Sequence, residues 1–187
     1  TLAESITLIF ILWNYLVERG SCPFFISKQT AIINIRAGKD AHSTREPGHK
    51  MKIFPIRLKP NDDLRQSLKK FAIQQNITAG FIITAIGSLK QATIRFANQN
   101  ETTTLNDKFE ILSLNGTIAN TGVHLHIAIS DKQGNTIGGH LADDCIIYTT
   151  AEIVIGTSEE FTFLRTPDSE TGYLELEITQ STSQNLP

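Results

Sequence analysis

Three of the five histidines in this 187-residue chain, His124, His126 and His140, fall close together, and their spacing could hold a metal ion. In Val123-His124-Leu125-His126-Ile127-Ala128-Ile129 the apolar residues alternate, so a strand puts Val123, Leu125, Ile127 and Ile129 on one face. His124 and His126 share the other. At ~3.3 Å per residue their Cβ atoms stand ~6.6 Å apart, and both imidazoles can reach one ion over bonds of about 2.0–2.1 Å. The third ligand must come from a neighbouring strand. The loop Asp131-Lys132-Gln133-Gly134-Asn135 turns the chain back, and Thr136-Ile137-Gly138-Gly139-His140 runs alongside. Gly138 and Gly139 allow unusual dihedrals or a close approach by another group.

Three neutral imidazoles suit zinc, with other transition metals open, and leave a fourth position for water or ligand. Such a position activates water, polarises a carbonyl, or holds a carboxylate; the ion can equally be structural. The competing reading is that His124 and His126 are half-exposed sheet residues with no ligand. Around them, Asp143 and Asp144 are candidates for orienting a ligand imidazole, or are simply solvated acids in a turn. Glu152 lies in the otherwise apolar strand Tyr148-Thr149-Thr150-Ala151-Glu152 and must face solvent, a partner or the metal site. Ser88 and Ser113 lack the context of a nucleophile elbow, and no P-loop or dinucleotide fingerprint occurs. Cys145 reads as a core residue.

The elements that must position these residues begin at Met51. Lys52–Leu58 reads as a strand, pushed toward an edge or a bulge by Pro55. Asn61-Asp62-Asp63 supplies an N-cap and two acids for a helix's first turn, and Leu64, Leu68, Phe71 and Ala72 form its apolar stripe, to about Gln75. Strands are predicted at Phe81–Ile86, ended by Gly87-Ser88, then at Ala92–Ala97, Thr102–Leu105, Phe109–Ile118, Val123–Ser130, Thr136–Leu141, Cys145–Ile155, Phe161–Arg165 and Tyr173–Ile178. The fold class is α+β: an antiparallel or mixed sheet with one main helix near its start.

Composition narrows the function classes. Forty per cent of the residues are hydrophobic and 19% charged, with 17 Lys+Arg against 19 Asp+Glu. That excludes a disordered tail and a chain that binds nucleic acid simply by being basic. Residues 1–50 hold 6 basic and 4 acidic side chains; residues 51–187 hold 11 and 15. Cys22 and Cys145 cannot build a disulfide framework or a four-thiolate zinc site, which points to a reducing, cytoplasmic compartment. The apolar run Ile6–Val17 is too short for the ~20 residues of a bilayer span, and Glu4 is the one charge before it, unlike a signal peptide. It is a weakly membrane-associating or partner-binding helix, a segment packed on the domain, or sequence upstream of the true start. We carry forward the last, with Met51 as the natural first residue, residues 1–50 as an extension, 51–180 as the domain and 181–187 as a tail.

Four segments resemble the plant-and-prokaryote-conserved (PPC) domain family. They are Ala79-Gly80 through Leu89 with Ala92-Thr93-Ile94-Arg95-Phe96; Phe109-Glu110-Ile111-Leu112-Ser113-Leu114-Asn115-Gly116-Thr117-Ile118; His124-Leu125-His126; and Gly138-Gly139-His140-Leu141 with Thr149-Thr150-Ala151-Glu152-Ile153. Together they cover nearly all of the stretch from Met51 to Ile178. The resemblance implies a homotrimer, and implies that His124, His126 and His140 correspond to the histidines that hold a metal, typically zinc, in some prokaryotic members. It also implies partner contact through Phe109, Glu110, Ile111 and Leu112. In plant members the domain follows an AT-hook and helps assemble nuclear DNA-binding complexes; prokaryotic members are often named DNA-binding by that association. This chain has no Arg-Gly-Arg-Pro run, and its acidic domain offers no net cationic surface for phosphate neutralisation. Two functions therefore follow as expectations: a trimeric, DNA-associated or regulatory assembly module with a three-histidine metal site, or a metal-dependent enzyme or small-ligand binder using that site.

Overall fold

Alternating apolar residues and the turns between them give ten strands and one helix in the computed structural model, which describes residues 31–33 and 51–181. The run Ile6–Val17, the proposed start-site boundary's upstream side and residues 182–187 lie outside the described residues, apart from the short strand β1, Ala31–Ile33. Met51–Leu58 is β2 and Leu64–Gln74 is α1. Then follow β3 (Gly80–Arg95), β4 (Thr103–Leu105), β5 (Phe109–Ala119), β6 (Gly122–Ser130), β7 (Thr136–Leu141), β8 (Ile146–Ser158), β9 (Phe161–Pro167) and β10 (Leu174–Gln180).

Among the described residues every strand pairing is antiparallel rather than mixed, and the order is β1-β2-β8-β3-β5-β6-β7 with β4 beside β3. β7 returns to β3 through Ile94↔Leu141 and Arg95↔His140, closing β3, β5, β6 and β7 into a ring. β9 and β10 form a separate hairpin. It is tied to the domain where Phe163 N donates to Thr78 O (2.9 Å) and Thr121 Oγ1 donates to Phe163 O (3.0 Å).

The sequence predicts two strands where β3 is one. Gly87-Ser88 does not end it; register shifts near Ile82, Gly87 and Leu89 bend it instead, so its first half pairs with β5 and β8 while its end reaches β7. Pro55 sits as expected for an edge: β1 covers β2 only from Met51 to Ile53, and opposite Pro55 the one described neighbour is β8.

Helix α1 buries Leu64, Leu68, Phe71 and Ala72, the stripe its spacing predicts, against β5, β6 and β8. They join Ile94, Leu114, Ile118, Leu125, Ile129, Leu141, Ile147 and Ile153 in one core. Fully burying each large side chain contributes about 1.5–3 kcal/mol. Cys145 belongs to this core: its Sγ accepts from Thr93 N (3.2 Å), and burial pushes its thiol up to about 11, which keeps it inert.

The helix start differs from expectation. Asp63 is itself the N-cap, so no acid lies in the first turn. One Asp63 oxygen accepts from Gln66 N (2.8 Å) and the other from Asp144 N (2.6 Å), joining the cap to the turn before β8. Asp63→Ala is therefore expected to lower stability by about 1–2 kcal/mol, read as an earlier urea midpoint at unchanged slope. An unmoved midpoint would show that water replaces both bonds without loss.

Candidate metal centre

The centre is built by a turn. Asp131 Oδ1 accepts from Gln133 N and Asn135 N, both at 2.9 Å, and Asp131 Oδ2 accepts from Asn135 Nδ2 at 2.9 Å. The Asn135 side chain and these backbone bonds hold the Asp131 carboxyl below its ordinary range. A five-residue loop so braced sets the register Ser130↔Thr136, and that register places His126 directly opposite His140. His124, two residues along β6, lies on the same face and pairs with Thr117 of β5. The double glycine works by close approach. A Cβ at Gly138 would stand 2.6 Å from Ile127 O, and one at Gly139 would stand 2.7 Å from Arg95 O. Without side chains there, β7 can lie tightly between β6 and β3.

The three imidazoles form a nearly equilateral triangle. Ring centres are 5.2 Å apart for His124–His126, 4.9 Å for His124–His140 and 5.6 Å for His126–His140. Rings bound to one ion through nitrogens at about 2.0–2.1 Å, at tetrahedral angles, have centres about 5 Å apart, so the triangle fits an ion. One nitrogen from each ring lies within 4.8 Å of the others. His140 Nδ1 is buried with no hydrogen-bond partner, an orphan that an ion would satisfy. Protonation of His124 and His140 is disfavoured. Burial, then the charges of Arg165 and His126, pushes His124 below its ordinary value; burial, then His124, Arg95 and His126, pushes His140 to about 4.

Among the described residues, the group that could hold an ion contains the three histidines without Asp143, Asp144 or Glu152. Asp143 bonds Arg65 NH1 at 2.5 Å; burial raises its carboxyl, but the Arg65 bond and charge outweigh this and hold it below the ordinary range. Asp144 gives its N–H to Asp63, and its carbonyl accepts from Thr93 and Gln91. Glu152 of β8 pairs in register with Arg57 and Ile86, and β3 and β5 stand between β8 and β6 in the sheet order. Of the partner-contact segment, Phe109 and Ile111 are core residues at 7% and 4% exposure, while Glu110 and Leu112 face outward.

A residue that the sequence reading passed over does reach the centre. Arg165 of β9 donates through NH2 to Thr117 Oγ1 (2.6 Å), and its NH1 stands 3.4 Å from His124 Nδ1. Its signal was an arginine in the alternation Phe161, Phe163, Arg165, where the pattern calls for an apolar side chain.

Comparison with known proteins agrees with this architecture. A bifunctional protein GlmU from Synechococcus is 52% identical over 132 residues, covering 71% of this chain and 21% of that protein. A second Synechococcus strain's GlmU is 47% identical over 146 residues, covering 78% of this chain and 23% of that protein, so the chain spans about a fifth of the curated relatives it matches. A hypothetical protein from Salmonella enterica is 38% identical, with a TM-score of 0.69 over 73% of this chain and 99% of that one. A metal-containing protein from Archaeoglobus fulgidus is 26% identical, with a TM-score of 0.60 over 67% of this chain and 93% of that one. A Ralstonia eutropha protein provisionally named DNA-binding shares the fold, at 23% identity and a TM-score of 0.55 over 73% of this chain and 94% of that one. The family model for the Plants and Prokaryotes Conserved (PCC) domain matches residues 45–159, the stretch that carries the histidine triangle and the sheet around it, and the chain belongs to that family.

Proposed function

We propose that this chain is an assembling PCC module that holds a divalent transition metal, zinc first, on His124, His126 and His140 and presents it to a small ligand. The observation that carries the reading is the triangle of rings with the orphaned Nδ1 of His140 inside the fold. Bound there, the metal supplies a Lewis-acidic open position. The Archaeoglobus relative, a metal-containing protein, supports a metal site in this chain. Ligand binding is favoured over hydrolysis because the Asp143 carboxylate is held by Arg65 and, among the described residues, the group that could hold the ion contains histidines alone.

Self-association as a homotrimer is part of the proposal. It is supported by outward-facing Phe81, Ile83, Ile86 and Leu112 on the sheet and by Leu174, Leu176 and Ile178 on the β9–β10 hairpin. Partner contact is placed on Glu110 and Leu112 rather than on the buried Phe109 and Ile111. DNA association, suggested by the family resemblance, would then pass through the assembly and its partners, since residues 51–187 hold 11 basic and 15 acidic side chains. The Synechococcus relatives, where the matched part is a fifth of a longer protein, support a module that works joined to other domains. The described residues include no helix long and apolar enough to cross a membrane.

The test is metal content of the purified full chain beside the double variant His124→Ala/His126→Ala. About one ion per chain in the wild type, absent from the double variant, is the expected result for a three-histidine site. A wild type that stays empty after incubation with zinc would return the histidines to ordinary sheet residues. Light scattering on the same samples reads the assembly, and a monomer would remove the trimer from the proposal.

A further inference from the structure

The side of the histidine triangle nearest the β9–β10 hairpin carries a cation that is poorly matched to what it touches. Arg165 reaches from the hairpin to the triangle, where it is half-buried and meets Thr117 Oγ1 and His124 Nδ1. A guanidinium only donates, and it matches two carboxylate oxygens far better than one hydroxyl and a ring nitrogen at 3.4 Å. Among the described residues no carboxylate forms an ion pair with it. Its charged neighbours leave the imbalance only partly offset. Arg95, opposite His140 in register, adds a second cation and donates to Gln99 O, while Glu175 is a carboxylate whose charge is felt at both His124 and Arg165 without an ion pair to either. Three imidazoles that took up a divalent ion beside Arg165 and Arg95 would leave surplus positive charge here, and a ligand anion is the direct way to balance it.

We propose that Arg165 is the anion-recognition residue of the centre, holding a small free carboxylate whose second oxygen takes the metal's open position. The inference rests on the metal reading above. It assigns a ligand class to the site and a role to a residue outside the histidine set. Once the ion occupies the triangle and His124 is engaged, Arg165 loses its use for the ring nitrogen and turns both N–H groups to the carboxylate, with Thr117 steadying it.

The experiment uses the full chain loaded with cobalt(II), whose visible absorption reports changes at the ion, titrated with acetate. The wild type is expected to show a saturable spectral change. Arg165→Met should keep its cobalt and bind acetate at least about tenfold more weakly, and Arg165→Lys, a point charge without the planar fork, should fall between them. Acetate that leaves the wild-type spectrum unchanged, or that titrates Arg165→Met like the wild type, overturns the assignment while leaving the metal site standing. Failure of the wild type to take up cobalt overturns the metal reading and this one with it.

Discussion

Replacing His140 by leucine is expected to abolish metal binding and, at the same time, to make the metal-free protein more stable. In the free protein this imidazole is held half-buried against His124, His126 and Arg95, with Nδ1 unpartnered. An unsatisfied buried polar atom costs about 1–3 kcal/mol, and the partial exposure of His140 puts the gain from leucine near the lower end, roughly 1 kcal/mol. That corresponds to about 2–4 °C in Tm for a chain of this size. The ranking then reverses with metal. At an ion concentration about 100 times Kd the wild type gains about 2.7 kcal/mol by mass action, and His140→Leu gains nothing. Thermal melts of both proteins, with chelator and with zinc, check the crossover. A variant less stable than the wild type in chelator would show that His140 is a satisfied packing residue, and the site argument would lose its physical basis.

Gly116→Ala should be the most damaging single methyl addition near the centre. Gly116 faces Leu125, between the two histidines of β6, at φ +137. A Cβ there would stand 2.0 Å from His124 O and 3.0 Å from Leu125 Cα, both backbone atoms that cannot swing aside. β5 and β6 would have to separate at the strand that presents the histidines. We expect a loss above about 4 kcal/mol, enough to leave much of the chain unfolded, and a disturbed triangle in whatever folds. Gly134→Ala is the control: φ is +84 in the β6–β7 turn, but nothing lies within 4 Å of the added carbon, so only the backbone preference is lost, about 1–2 kcal/mol. Urea unfolding of the two variants separates conformational cost from collision. Equal losses would mean that the close approach of β5 and β6 relaxes freely.

Much of the fold was legible because it is written in short-range periods. Leu64, Leu68, Phe71 and Ala72 repeat at helical spacing and are the buried face of α1. Val123, Leu125, Ile127 and Ile129 alternate, which put His124 and His126 together on the opposite face before any pairing was known. The misplacements came where local signals compete with the rest of the molecule. Gly87-Ser88 looks like a strand end, yet β3 continues because β8 and β5 pair across it and a bulge absorbs the glycine. Asp62 and Asp63 look like first-turn acids, yet the bond from Asp144 N, distant in sequence, favours Asp63 as the cap.

Residue types and their alternation by themselves determined an α+β domain, one helix, and a strand offering two imidazoles on one face, with a braced turn leading to a third. Periodicity settles which side a residue faces, since it depends only on backbone geometry. What faces it across the sheet depends on pairing between distant segments, and the tertiary structure alone decided that. It set His126 opposite His140, buried Phe109 and Ile111, sent Asp143 to Arg65, and brought Arg165 from a separate hairpin to the edge of the triangle.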